Sequence, residues 1–271
     1  MTRTALQFGA GNIGRGFIAQ LFHESGYEVV FVDIIPQILT TLNSRRSYTL
    51  HIVGPGAEDI LITGVRAVDG RDTEAVAKEV ARCEVACTAV GVGALPHIAP
   101  KLAAGLMRRY HLEGVPLNIL VCENLHEAGN YLRNLVAEHL PPDLRDAILA
   151  NVGFVQAVVS RMVPLQTEED RRHDPLTIRT EAYKRLPVDA AGIVGQLPPI
   201  MGVEPVSNFA AHEARKLFTH NCAHATLGYL GYPKGYTYGY EALSDLEIHA
   251  TLNKVMEETG SALIRAYGFD T

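Results

Sequence analysis

The feature that most constrains this chain lies in its first 33 residues. Thr4-Ala-Leu-Gln-Phe8 is short and mostly apolar and reads as a buried strand. Gly9-Ala10-Gly11-Asn12-Ile13-Gly14 follows at once. Apolar residues at 13, 17, 18, 21 and 22 then recur at helical spacing until Gly26. Glu28-Val-Val-Phe-Val-Asp33 reads as a second strand, with an acid at its end. Strand, glycine turn, helix and strand make a βαβ unit, and such units build parallel sheets with helices on both faces.

Glycine turns are common, so the G-x-G-x-x-G spacing is weak by itself; its strand-to-helix setting makes it specific. Gly9 permits the tight turn, Gly11 lets backbone approach a pyrophosphate, and Gly14 lets the helix pack close to the strand. The helix start, with Ala10, Asn12 and Ile13 beside the glycines, offers N–H groups and a dipole to phosphate. Asp33 lies 19 residues after Gly14, where an acid accepts both ribose hydroxyls and repels a 2′-phosphate. The expected cofactor is therefore NAD rather than NADP, with Arg45 and Arg46 weighing slightly the other way. The alternative is a purely structural turn in an α/β sheet.

The alternation continues. Residues 36–43 form a short helix, and 47–53 and 60–65 alternate as strands around Gly54-Pro-Gly56, a hairpin inserted in the parallel pattern. Residues 73–82 and 95–109 are helical. Val85-Ala-Cys-Thr-Ala-Val90 and Leu117-Asn-Ile-Leu-Val-Cys122 are buried strands. Loops at the carboxyl ends of such strands face the ligand crevice. Val90 and Gly91 are thus candidate cofactor contacts, with core and turn roles as the alternative. Asn124 is a candidate polar ligand, the alternative being that Glu123 or Asn124 caps the helix at 127–139. Residues 152–159 are strand-like, and Arg161 beyond them binds an anion, clamps a loop or forms a salt bridge. Residues 167–174 carry six charges and read as a solvent loop; 176–180 is a short strand and 181–189 irregular. The Pro/Gly-rich stretch 192–205 marks a boundary. The expected architecture is a Rossmann-type doubly wound α/β domain over 1–195, then a smaller, mainly helical domain over 196–271.

In that second part, Lys216-Leu-Phe-Thr-His220-Asn221-Cys-Ala-His224 has the composition of a helix. At about 100° per residue, Glu213, Lys216, His220, Asn221 and His224 share an arc of about 140°. Leu217 also lies in that arc, while Phe218, Cys222, Ala214 and Ala225 face away. A solvated face is the plain reading; a wall of a polar cleft is the functional one. A nicotinamide enzyme needs a base for the substrate hydroxyl proton, and a lysine serves when burial lowers its pKa. Asn221 donates to a developing oxyanion, His224 orients the amine or the substrate, and Glu213 relays protons to solvent. Zinc is the weaker rival. His220 and His224 are four apart, but Asn221 stands where the H-E-x-x-H helix has glutamate, and no nearby cysteine or acid completes a set.

Bulk properties fit a globular enzyme: 271 residues, 47% hydrophobic, 20% charged. A net charge of −6 does not suit a polyanion-binding surface, so nucleic acid is not expected. No apolar run reaches membrane-spanning length, and the first residues are expected to carry no signal or transit peptide. Four scattered cysteines without a C-x-x-C pair read as reduced cytosolic thiols, which places the chain in the cytoplasm.

These segments resemble the polyol-specific long-chain dehydrogenase/reductases, and within them the branch acting on mannitol 1-phosphate. The resemblance is carried by Phe8-Gly-Ala-Gly-Asn-Ile-Gly-Arg-Gly-Phe17, Phe31-Val-Asp33, Leu42-Asn-Ser-Arg-Arg-Ser-Tyr48, Cys122-Glu-Asn124, Arg161-Met-Val-Pro164 and Lys216-Leu-Phe-Thr-His-Asn-Cys-Ala-His-Ala225. The Lys-x4-Asn-x2-His spacing is its most specific part. The resemblance implies metal-independent exchange of mannitol 1-phosphate and NAD with fructose 6-phosphate and NADH. It implies Lys216 as general acid/base, Asn221 and Asn124 as carbonyl polarisers, His224 as positioner and Glu213 as a proton-exchange group. Two departures stand out: Ser160 replaces the aspartate that many members carry before Arg161, and members usually continue for roughly a hundred further helical residues after Tyr267-Gly-Phe269. A substrate phosphate calls for a basic pocket, for which Lys184, Arg185 and Lys234 are the candidates. The rival readings are a dehydrogenase of free mannitol or a hexuronate, and an NAD(H)-binding protein without turnover.

Overall fold

The computed structural model describes residues 3–269. Strand β1 (Thr4–Phe8) turns at Gly9 into a helix that is π-helical over Gly14–Ile18 and α-helical over α1 (Ala19–Glu24). β2 (Glu28–Asp33) and α2 (Pro36–Arg45) lead to the hairpin β3 (Ser47–Ile52) and β4 (Glu58–Thr63), then to β5 (Val65–Asp69). The alternation resumes with α3 (Thr73–Arg82), β6 (Val85–Thr88), α4 (Leu95–His111) and β7 (Leu117–Val121). It closes with α5 (Ala128–Glu138), α6 (Arg145–Leu149) and β8 (Val152–Gln156).

Among the described residues the main sheet has the order β5-β2-β1-β6-β7-β8, and all its pairings are parallel. Its strands are apolar on both sides because helices cover both faces. Val29 and Phe31 of β2 pack in one core, with Ile38 and Leu42 of α2. Val30 and Val32 pack in the other, with Val76 of α3 and Leu102 of α4. The strand order reverses between β1 and β6, so the crevice at their carboxyl ends is the ligand position of a doubly wound sheet.

The hairpin forms a separate sheet of order β4-β3-β9, where β9 is Ile178–Thr180. Val65 does not extend β4 as its apolar run suggests. Only Gly64 separates Thr63 from Val65, so strands of two different sheets read as one in the sequence. Residues 168–173, expected as a solvent loop, form α7 (Glu168–His173). Thr167 and Asp170 close a capping box, and acids in its first turn and bases in its last complement the helix dipole. The expected irregular stretch holds β10 (Leu186–Asp189), which pairs in parallel with β11 (Val203–Val206).

The chain divides into two compact units between Ser207 and Asn208. The second is helical: α8 (Phe209–Lys216), a π-turn over Leu217–Asn221, α9 (Cys222–Gly231), α10 (Gly239–Ser244) and α11 (Leu246–Tyr267). α11 runs unbroken through Gly260 and is capped by Asp245, whose carboxylate accepts the N–H groups of Glu247 and Ile248.

Candidate active site

The glycine turn is built backbone against backbone. Gly9 has φ +91°, and its N–H donates to the Val32 carbonyl at 2.8 Å. A Cβ there would lie 2.4 Å from the Ala89 oxygen, and one on Gly14 would lie 2.0 Å from the Gly9 oxygen. Both positions therefore require glycine. A Cβ on Gly11 would meet nothing within 4 Å, so exposed backbone faces open space where a pyrophosphate fits. Asp33 stands at the edge of the turn: Oδ2 accepts the Ala10 N–H at 2.7 Å, and Oδ1 accepts those of Ile34 and Ile35 at 2.7 and 3.0 Å. Three donors leave room on a carboxylate for a further hydroxyl.

Residues that sequence reasoning assigned no role support this turn from below. Gln7, fully buried, donates from Nε2 to the Phe8 and Gly9 carbonyls. Arg15, also buried, donates from Nε to the Ala10 carbonyl at 2.6 Å, and Tyr48 Oη donates to the Arg15 carbonyl at 2.6 Å. Burial lowers the Arg15 pKa and raises that of Tyr48. Arg161 clamps a loop: buried, it donates to the Glu181 carbonyl at 2.8 Å and to Gln20 Oε1 at 2.6 Å, and burial lowers its pKa to about 10. Residues 161–164 thereby lie over the start of the turn's helix. Asn12 Nδ2 donates to the Pro164 carbonyl at 3.2 Å, and a Cβ on Gly16 would meet Val163 at 2.6 Å.

The loop after β6 borders the same crevice. Ala89 N–H donates to the Phe8 carbonyl at 3.0 Å. The N–H groups of Val90 and Gly91 donate to Glu123 Oε1 and Oε2, each at 2.9 Å. Glu123 is only 7% exposed. The sequence suggests Glu123 or Asn124 as the cap of the next helix. Instead that helix starts after Glu127 with no side-chain cap, and Glu123 reaches back to the neighbouring strand's loop. Parallel register explains this: Thr88 pairs with Val121, so the segments just past both strand ends lie side by side. Asn124 is exposed, one residue further on.

In the helical unit, α8 ends at Lys216 and the helix widens over Leu217–Asn221 before α9. The Cys222 N–H donates to the Leu217 carbonyl, five residues back, and Thr219 Oγ1 donates to the Arg215 carbonyl at 2.6 Å. Residues five apart lie about 140° apart on a regular α-helix. The wider π-turn narrows that angle between Lys216 and Asn221, and such turns are frequent at functional sites. Lys216 and Glu213 are half-buried. Burial lowers the Lys216 pKa, and the Glu213 charge pulls it partly back. His220 and His224 pack edge to face, with ring centroids 4.6 Å apart. The other face is less apolar in its setting than expected, since Phe218 is 48% exposed.

Among the described residues no three His, Cys, Asp or Glu side chains gather as a metal set, and no helix is long and apolar enough to cross a membrane. The candidate phosphate-binding cations are each engaged. Lys184 pairs with Glu24 at 2.9 Å, Arg185 with Glu204 at 2.6 Å, and Lys234 with Asp245 and Glu247 at 3.0 and 2.7 Å.

Comparison with known proteins bears on both units. Residues 3–202 match the mannitol dehydrogenase Rossmann domain family, and residues 208–270 match the mannitol dehydrogenase C-terminal domain family. Mannitol-1-phosphate 5-dehydrogenase of Brevibacillus brevis is 40% identical over 266 residues, 98% of this chain and 68% of that protein. The protein of the same name in Geobacillus thermodenitrificans is 38% identical over 267 residues, again 98% and 68%. The structure is similar to that of Pseudomonas fluorescens mannitol 2-dehydrogenase in ternary complex with NAD and D-mannitol. The TM-score is 0.82 at 18% identity, covering 100% of this chain and 66% of that one. It is also similar to a D-sorbitol dehydrogenase in substrate-free form, with TM-score 0.81 at 19% identity, covering 95% and 64%. The chain thus spans about two thirds of the length of these proteins. The expected α/β fold with a helical second part is borne out. Two adjoining family domains that account for nearly all of the chain, and relatives near 40% identity along it, establish that the chain belongs to the mannitol dehydrogenase family.

Proposed function

We propose that the chain is an NAD-dependent polyol dehydrogenase that interconverts mannitol 1-phosphate and fructose 6-phosphate, with Lys216 as general acid/base and no metal ion. The observation that carries the reading is a half-buried lysine of lowered basicity, one widened turn from Asn221 and two turns from His224. The phosphorylated substrate is supported by the names of the 38–40% identical relatives.

The dinucleotide is held by the turn at Gly9, Ala10, Gly11, Asn12, Ile13 and Gly14, by Asp33 at the ribose hydroxyls, and by the Val90 and Gly91 loop. NAD supplies the hydride acceptor. In the oxidative direction Lys216, as the neutral amine, takes the substrate hydroxyl proton as the hydride leaves the same carbon. In the reductive direction its ammonium returns that proton to the carbonyl oxygen. Asn221 donates to that oxygen while it carries negative charge, with Asn124 as a second donor. His224 positions the amine or the substrate, and Glu213 passes protons between Lys216 and solvent.

The test is NADH oxidation with fructose 6-phosphate, fructose and fructuronate in parallel. Turnover of the phosphate alone is expected. Turnover of fructose or fructuronate alone identifies a free polyol or hexuronate dehydrogenase. NADH binding without turnover of any of the three identifies a non-catalytic binding protein.

A further inference from the structure

We infer that Glu123 is a positioning residue for the nicotinamide half of the cofactor, acting through the Val90 and Gly91 backbone. The inference rests on the dinucleotide reading above. Each Glu123 carboxylate oxygen accepts one of two successive backbone N–H groups, at 2.9 Å. The two bonds fix two adjoining peptide planes, and bonds to an ionised acceptor are stronger than neutral ones. The loop they hold is also seated from the other side. A Cβ on Gly9 would lie 2.4 Å from the Ala89 oxygen and 3.2 Å from Val90 Cγ1, so the loop lies directly on the glycine turn. Gly91 has φ +84°, and its carbonyl accepts the Ala94 N–H at 2.9 Å, which starts the next helical turn. The Glu123 clamp therefore sets where the loop passes at the β1/β6 switch point, the edge along which a dinucleotide extends from its pyrophosphate.

A helix cap or a packed apolar side chain would serve the fold alone. A nearly buried carboxylate that spends both oxygens on one cofactor loop is a costly device for packing. It is explained if the loop must hold its place against a ligand. The adenine half is served by other groups, Asp33 and the glycine turn, so the clamp's effect falls on one end of the cofactor.

Glu123→Gln keeps the shape but points an amide N–H2 at one of the two backbone donors. Binding of NADH, followed by its fluorescence, and of ADP, followed by calorimetry, is measured on the wild type, Glu123→Gln and the shorter Glu123→Asp. The expected result is NADH binding at least about tenfold weaker in Glu123→Gln, with ADP affinity within twofold of wild type. Unchanged ADP affinity certifies the fold, and Glu123→Asp serves the same comparison if the amide variant does not fold. NADH and ADP affinities that are both unchanged, or that fall in parallel, overturn the inference and leave Glu123 a purely structural group. Wild-type chain that binds ADP but not NADH overturns the cofactor reading, and this inference with it.

Discussion

Gly11 and Gly14 lie three residues apart in one turn, and the same substitution at each should fail in opposite ways. The Cβ of Gly14→Ala would lie 2.0 Å from the Gly9 carbonyl oxygen. Carbon–oxygen contacts ordinarily begin at about 3.3 Å. The helix must therefore retreat from the turn by roughly an ångström, because a backbone oxygen cannot rotate away as a side chain can. Overpacking of this kind costs about 1–3 kcal/mol, and the immovable partner puts this case at the upper end. For a unit of this size each kcal/mol lowers the melting temperature by roughly 2–4 °C, so a fall of about 6 °C or more is expected. The Cβ of Gly11→Ala meets nothing, and Gly11 is not among the glycines with positive φ. That variant should melt at the wild-type temperature or slightly above, because alanine restricts the unfolded chain by about 0.4–1 kcal/mol. Its methyl group, however, stands where a pyrophosphate approaches, and NADH affinity should fall by about tenfold or more. Thermal melts and NADH fluorescence titrations on the two variants are sufficient. Gly14→Ala melting within about 2 °C of wild type, or Gly11→Ala binding NADH as wild type does, would refute the packing argument.

Other predictions address the remaining groups. In the proposed reaction polyol oxidation requires neutral Lys216, so its rate should rise with pH through an inflection below the ordinary lysine value of 10.5. The Glu213 carboxylate favours the ammonium form, so Glu213→Gln should move that inflection to lower pH; a shift upward contradicts the assigned electrostatics. Asp33→Ala removes the tether on Ala10 N–H and, in the proposed site, the ribose acceptor and the charge that repels a 2′-phosphate. NAD affinity should fall by about tenfold or more and NADP affinity by less, and an unchanged ratio removes Asp33 from the site.

The parallel, helix-covered build of the main sheet follows from chemistry visible along the chain. Each buried strand is apolar on both sides, and each is flanked by a helix with its own apolar stripe. The glycine spacing places the first turn before any coordinate is known, because the positive φ of Gly9 and the approach of Gly14 to the Gly9 oxygen are local demands. The Glu123 clamp is not visible in this way. Its partners are more than thirty residues away, and only the parallel register of β6 and β7 brings them level. The π-turn at Leu217–Asn221 is hidden for another reason: a single wide turn barely disturbs a periodicity averaged over several. Strand β5 was masked by a one-residue gap, and α7 by charge that suits a loop and a capped helix equally. Lys184, Arg185 and Lys234 show the limit of composition, since a cation counted as available can already be held by a carboxylate.

The central claim is that an amine on the helical unit moves the substrate's proton while the first unit holds the dinucleotide. The most direct test compares wild-type chain and Lys216→Ala at neutral pH, following NADH oxidation with fructose 6-phosphate and NADH affinity on the same samples. Turnover should be abolished in the variant with NADH affinity within about threefold of wild type. Wild-type turnover retained by Lys216→Ala would contradict the account.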